Sequence, residues 1–99
     1  MAVTSDLIIF GALAVSQNTV YTATATCYVI VTVFNRNAST RTLQVWLNSA
    51  VDANKVGDGD ELLTKETLVY ETKMASGDLI IIEPSGTDVN AFVEVDILS

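Results

Sequence analysis

Between Ala23 and Val33 the odd positions are small and apolar, whereas Thr22, Thr24, Thr26 and Thr32 occupy even ones. That period of two is the mark of a half-buried β-strand with its odd face inward. Leu43, Val45 and Leu47 repeat the pattern against Thr42, Gln44 and Asn48, and Val89, Ala91, Val93, Val95 and Ile97 repeat it against Asn90, Glu94 and Asp96. "TLVYETKM" (Thr67 to Met74) and "DLIIIE" (Asp78 to Glu83) are also rich in β-formers. The second is apolar on both faces, which predicts a strand that is central in its sheet or covered on each side. "NTVYT" (Asn18 to Thr22) predicts a short strand. No segment carries a helical period.

Asn35 to Ser39, Ser76 to Asp78 and Pro84 to Asp88 are loaded with turn-forming residues and separate these runs. The expectation is an all-β chain forming one domain over residues 1–99, an antiparallel β-sandwich of about seven to eight strands. Strand count alone leaves immunoglobulin-like and jelly-roll-like arrangements both open. Ser49 to Glu66 reads as the one long connection. Within it Asp52, Asn54 and Gly57 match an EF-hand loop at its first, third and sixth positions, but Val56 and Leu63 stand where two further ligands belong. The preferred reading there is a solvated acidic loop without a metal.

Placing Val29, Val31, Val33, Leu43, Val45 and Leu47 in the core forces Tyr28, Ile30, Phe34 and Trp46 to the opposite face, with Phe92 and Leu98 outward on the last strand. Two readings follow. Loops, or an N-terminal segment carrying Ile8 and Phe10, cover these residues within the monomer; or they form a subunit interface with Trp46 as its anchor, which is preferred because large apolar patches are uncommon on soluble monomers. If consecutive strands run antiparallel, Arg36 and Arg41 lie at one end, joined by Lys73, and Asp52, Asp58, Asp60, Glu61, Glu83 and Asp88 lie at the other. Such an asymmetry would orient docking.

Composition narrows the chemistry. Almost half of the residues are hydrophobic and 17% are charged, which excludes a disordered tail. A formal charge of −7 with five Lys and Arg argues against nucleic acid as a partner. The run Leu7 to Val15 imitates a signal peptide, but the first six residues carry Asp6 and neither Lys nor Arg, and the run is too short to span a bilayer. It reads as a first strand, and no membrane partner is expected. The single cysteine, Cys27, excludes an intrachain disulfide. Asn37-Ala38-Ser39 matches the N-glycosylation acceptor, a triplet common by chance. With no histidine, no phosphate-cradling glycine loop and carboxylates scattered over loops and strand edges, no catalytic residue or cofactor is expected.

Three stretches bear on identity: "NTVYTATAT" opening a long strand, "VFNRNASTRTLQVWLN" as strand, Asn-rich turn and strand, and "MASGDLIIIEPSGTDVNAFVEVDIL" closing the chain. From about Asn18 to Leu98 the sequence resembles the small all-β structural proteins encoded among the head and tail genes of tailed bacteriophages. The resemblance implies a virion protein without catalytic residues, made in the cytoplasm of the bacterial host. Its partners would be further copies of itself and other virion proteins, the major capsid protein foremost. A capsid decoration or cement protein fits a compact single domain best, with a tail, baseplate or fibre-adaptor component as the alternative. A carbohydrate- or protein-binding module, in which Trp46 and Tyr28 stack on a sugar ring, is the alternative of another class.

Overall fold

The computed structural model describes the backbone of residues 3–98 and the side chains of residues 10–98. Eight strands follow one another: β1 (Val3–Ala12), β2 (Asn18–Thr22), β3 (Cys27–Asn35), β4 (Arg41–Leu47), β5 (Lys55–Leu62), β6 (Thr67–Met74), β7 (Leu79–Pro84) and β8 (Val89–Leu98). The only helical feature among the described residues is a single 3-10 turn at Asp52–Asn54.

The strands form two four-stranded antiparallel sheets in the orders β1-β8-β3-β6 and β2-β7-β4-β5. The pairs β1·β8, β2·β7, β3·β6 and β4·β5 make up one long hairpin whose tip is the β4–β5 turn, and the contacts β3·β8 and β4·β7 roll that hairpin into two layers. This connectivity is the jelly roll, one of the two arrangements left open by strand count. All consecutive strands except β4 and β5 lie in different sheets.

Alternation works as expected where the ladder is regular. β3 buries Cys27, Val29, Val31, Val33 and Asn35, and β8 buries Val89, Ala91, Val93 and Val95 against them. From the other sheet come Leu43 and Val45 of β4, Ile80 and Ile82 of β7, and Val20, with Leu62 and Met74 closing the core. β7 is central in its sheet, as its two apolar faces required.

The expected long connection from Ser49 to Glu66 is instead interrupted by β5, paired with β4 from Trp46↔Lys55 to Arg41↔Leu62. Its alternation is hidden by two register shifts, which leave Val56 and Gly59 as extra residues, and by a glycine at a buried inward position. A Cβ on Gly57 would lie 2.6 Å from Asp60 Oδ2 and 3.2 Å from the Tyr70 hydroxyl. The close approach lets the Tyr70 hydroxyl of β6 donate to Asp60 Oδ2 of β5 at 2.7 Å, a latch between the two sheets at their edge.

The loops are tied by side chains. Asn35, fully buried, donates to the Leu62 and Ser39 carbonyls at 3.0 and 2.9 Å and accepts from the Asn37 N–H at 2.8 Å. Asn18 does similar work after β1, bonding Ala14, Ser16 and Ile82.

Candidate functional site

β3 and β8 are central in the first sheet, and among the described residues no helix packs on it, so their even-numbered side chains stand on its outer face. Tyr28, Ile30 and Phe34 of β3 and Phe92 of β8 are all half-buried on that outer face. Phe92 lies opposite Thr32, and Thr32 lies opposite Val69 of β6, which is 52% exposed. Phe10, 38% exposed, sits at a register break of β1 beside the same stretch of β8. The result is an apolar field centred on Ile30, Phe34 and Phe92. Its lower margin is charged: Glu71 and Glu94 flank Ile30, and Lys73 and Asp96 flank Tyr28. The Tyr28 hydroxyl donates to Glu71 Oε2 at 2.7 Å, and this bond, ahead of desolvation and the nearby charge, raises its pKa.

Trp46 does not belong to this field. It faces outward, as its position between Val45 and Leu47 requires, but from the other sheet, so it lies on the opposite side of the sandwich from Tyr28, Ile30 and Phe34. Nor is it an open anchor, since it is 6% exposed and stands outside the core cluster between the sheets. Its cross-strand neighbours are Ile81 of β7 and Lys55 of β5. Lys55 is held there by Asp58 Oδ1 at 3.1 Å and Asp52 Oδ1 at 3.5 Å, with only 24% of its side chain exposed. These bonds raise the Lys55 pKa, that to Asp58 contributing most. Its strand neighbours thus come from its own sheet; of the suggested N-terminal cover, Phe10 lies beside β8 in the other sheet and the side chain of Ile8 lies outside the described residues.

The expected separation of charge also fails. Arg36 and Arg41 share one end of the sandwich, but Lys73 pairs with Tyr28 at the start of β3 and so lies at the other end. Asp88 is 3.5 Å from Arg36, and Glu61 and Glu83 lie opposite Thr42 and Gln44 near Arg41. The misplacement arises from β5: one unexpected strand reverses the direction assigned to every later strand, so Lys73, Glu83 and Asp88 each change ends. The two arginines hold the β7–β8 turn: Arg36 Nε donates to Asn90 Oδ1 at 3.0 Å, Arg41 Nε donates to the Thr87 carbonyl at 3.1 Å, and a Cβ on Gly86 would lie 2.6 Å from the Arg41 guanidinium carbon.

Asp52, at the first EF-hand position, and Asp58 converge on the Lys55 ammonium, and Asn54, at the third, donates to Ser49 Oγ at 3.0 Å. Asn37 of the glycosylation triplet donates to Asp88 Oδ2 at 2.8 Å and accepts from the Ser39 N–H at 2.8 Å. Cys27 is fully buried; burial first, then the Asp78 carboxylate, push its thiol pKa up. Among the described residues no helix is long and apolar enough to cross a membrane. Sequence reasoning missed Val69, whose place across Thr32 from Phe92 depends on β6 and β8 flanking β3, and the Tyr70–Asp60 latch. Comparison of the chain with family models, with curated proteins and with solved structures gave no match.

Proposed function

We propose that this chain is a non-enzymatic structural subunit of a phage virion, a capsid decoration or cement protein that attaches through the outer face of the β1-β8-β3-β6 sheet. The observation that carries the reading is the open field of Ile30, Phe34, Phe92 and Val69, bordered by Glu71, Lys73, Glu94 and Asp96. Apolar centres with polar rims are the anatomy of protein interfaces. The phage-like segments between Asn18 and Leu98 supply the setting, and the jelly roll adds an analogy at the level of fold, since double-sheet jelly rolls build many capsid domains. The glycan-binding alternative loses its stacking platform with Trp46 covered.

The test is to purify virions of the phage that encodes the chain, separate heads from tails on a gradient, and identify it by mass spectrometry in each fraction. The expected result is stoichiometric recovery with heads. Recovery with tails moves the protein to the tail or baseplate, and absence from both overturns the virion reading.

A further inference from the structure

A sandwich of this kind leaves four strand edges, and exposed edges recruit other strands unless they are blunted. β2 is five residues long and bulged at Val20, β1 runs in register for seven residues, Val3 to Ile9, before its break at Phe10, and β5 is broken twice and carries Lys55, Asp58, Asp60 and Glu61. β6 differs. Its eight residues pair with β3 in unbroken register from Cys27↔Met74 to Phe34↔Thr67, and among the described residues no strand pairs with its other side. Beside that free side a cleft of about 230 Å³ opens between Val56 of β5 and residues 69–72 of β6, and Val56 and Val69 are each about half exposed.

We propose that β6 is an association edge on which a second copy of this chain adds its own β6 antiparallel, joining two four-stranded sheets into one. The charges select the register. Cross-strand opposite charges stabilise a pair and like charges directly opposite destabilise it. A two-fold centred on Glu71 sets that carboxylate against its own copy, and one centred on Lys73 does the same with ammonium groups. A two-fold centred on Tyr70 leaves both charges opposite uncharged residues. Only a two-fold centred on Thr72 sets Glu71 opposite Lys73 of the second copy, twice, while Tyr70 faces Met74 and exposed Val69 faces Ala75. Both charged side chains are exposed, and the Tyr28 hydroxyl already orients Glu71 on this face. The pairing would place the apolar fields of two copies side by side on one continuous sheet. It takes from the proposed function only the expectation that the chain self-associates.

The experiment is sedimentation velocity of the purified chain over a rising concentration series, with Glu71→Lys, Lys73→Glu and the double exchange. Wild type should show a growing dimer fraction, each single change should weaken dimerisation about tenfold, and the double exchange should restore it. Lys73→Glu leaves the Tyr28–Glu71 bond in place, so its effect is free of that loss. Independently, Thr72→Cys should form a disulfide-linked dimer on mild oxidation, because opposed Cα atoms lie about 4.5–5.5 Å apart in an antiparallel pair. Thr67→Cys should not, since its copy would be roughly 33 Å away. A monomer at every concentration, a dimer indifferent to both single reversals, or equal cross-linking at Thr72 and Thr67 would overturn the proposal. Whether the wild-type chain purifies with virions is a separate result, so failure there leaves the sedimentation outcome standing.

Discussion

The two outer faces of this sandwich treat their aromatic residues in opposite ways. On the β2-β7-β4-β5 sheet, Trp46 sits between Ile81 and an ion-paired Lys55 and is almost wholly covered, although it points away from the space between the sheets. On the β1-β8-β3-β6 sheet, Ile30, Phe34 and Phe92 have mostly polar cross-strand neighbours among the described side chains, Glu71 and Glu94, Thr67 and Asn90, and Thr32, and they are half-buried rather than covered. Facing outward and being available to a partner are thus different properties. The first follows from strand period; the second depends on what the neighbouring strands carry at the same height.

The largest test of the contrast is a pair of truncations. Trp46→Ala should cost the isolated domain about 3 kcal/mol in a urea melt, at the low end for a buried tryptophan because the indole lies on the outer face of its sheet and not between the sheets. Phe34→Ala and Phe92→Ala should cost the fold about 1 kcal/mol or less while weakening association or particle attachment by about 2 kcal/mol each, the scale of a central interface aromatic. Equal folding costs on the two faces would dissolve the distinction.

A smaller effect is expected at the latch. Tyr70→Phe removes a hydrogen bond to a carboxylate at a half-buried site and should cost about 1.5 kcal/mol. Burial first, then the Asp60 hydrogen bond and charge, raise the Tyr70 pKa well above the ordinary tyrosine value. The raised folded-state pKa means the contribution is fully present below the unfolded value, about 10, and is lost as pH climbs through the folded value. Wild type should therefore lose stability steeply in strong alkali, and Tyr70→Phe should show a shallower decline in melts across that range. The smallest effect is at Cys27, whose buried thiol should stay unreactive towards a thiol reagent at neutral pH until the domain unfolds.

Much of the fold was legible because regular strands advertise themselves. β2 and β6 match the expected segments residue for residue, and the inward sets of β3, β4 and β8 follow from alternation. β5 was not legible, since two bulges and a buried glycine erase a period of two. Assignment of strands to sheets was hidden for a deeper reason. Alternation says which side chains share a face of one strand, and says nothing of which sheet receives that strand. Trp46 and Phe34 share an outward phase, yet the β3–β4 crossover sends them to opposite sides of the molecule. Lys73 goes to the far end from Arg36 for a different reason: the unread β5 reverses the direction of the strands after it. Tyr28, Ile30, Phe34 and Phe92 were found together because β3 and β8 are adjacent.

Hydroxyl-radical footprinting of the chain, dilute and then concentrated or bound to particles, tests the central contrast most directly, because it reads each aromatic side chain separately. In the dilute domain Phe34 and Phe92 should be oxidised while Trp46 is protected, despite the greater intrinsic reactivity of an indole. On association, Phe34 and Phe92 become protected and Trp46 does not change. Rapid oxidation of Trp46 in the dilute domain, followed by its protection on association while Phe34 and Phe92 stay reactive, would contradict it.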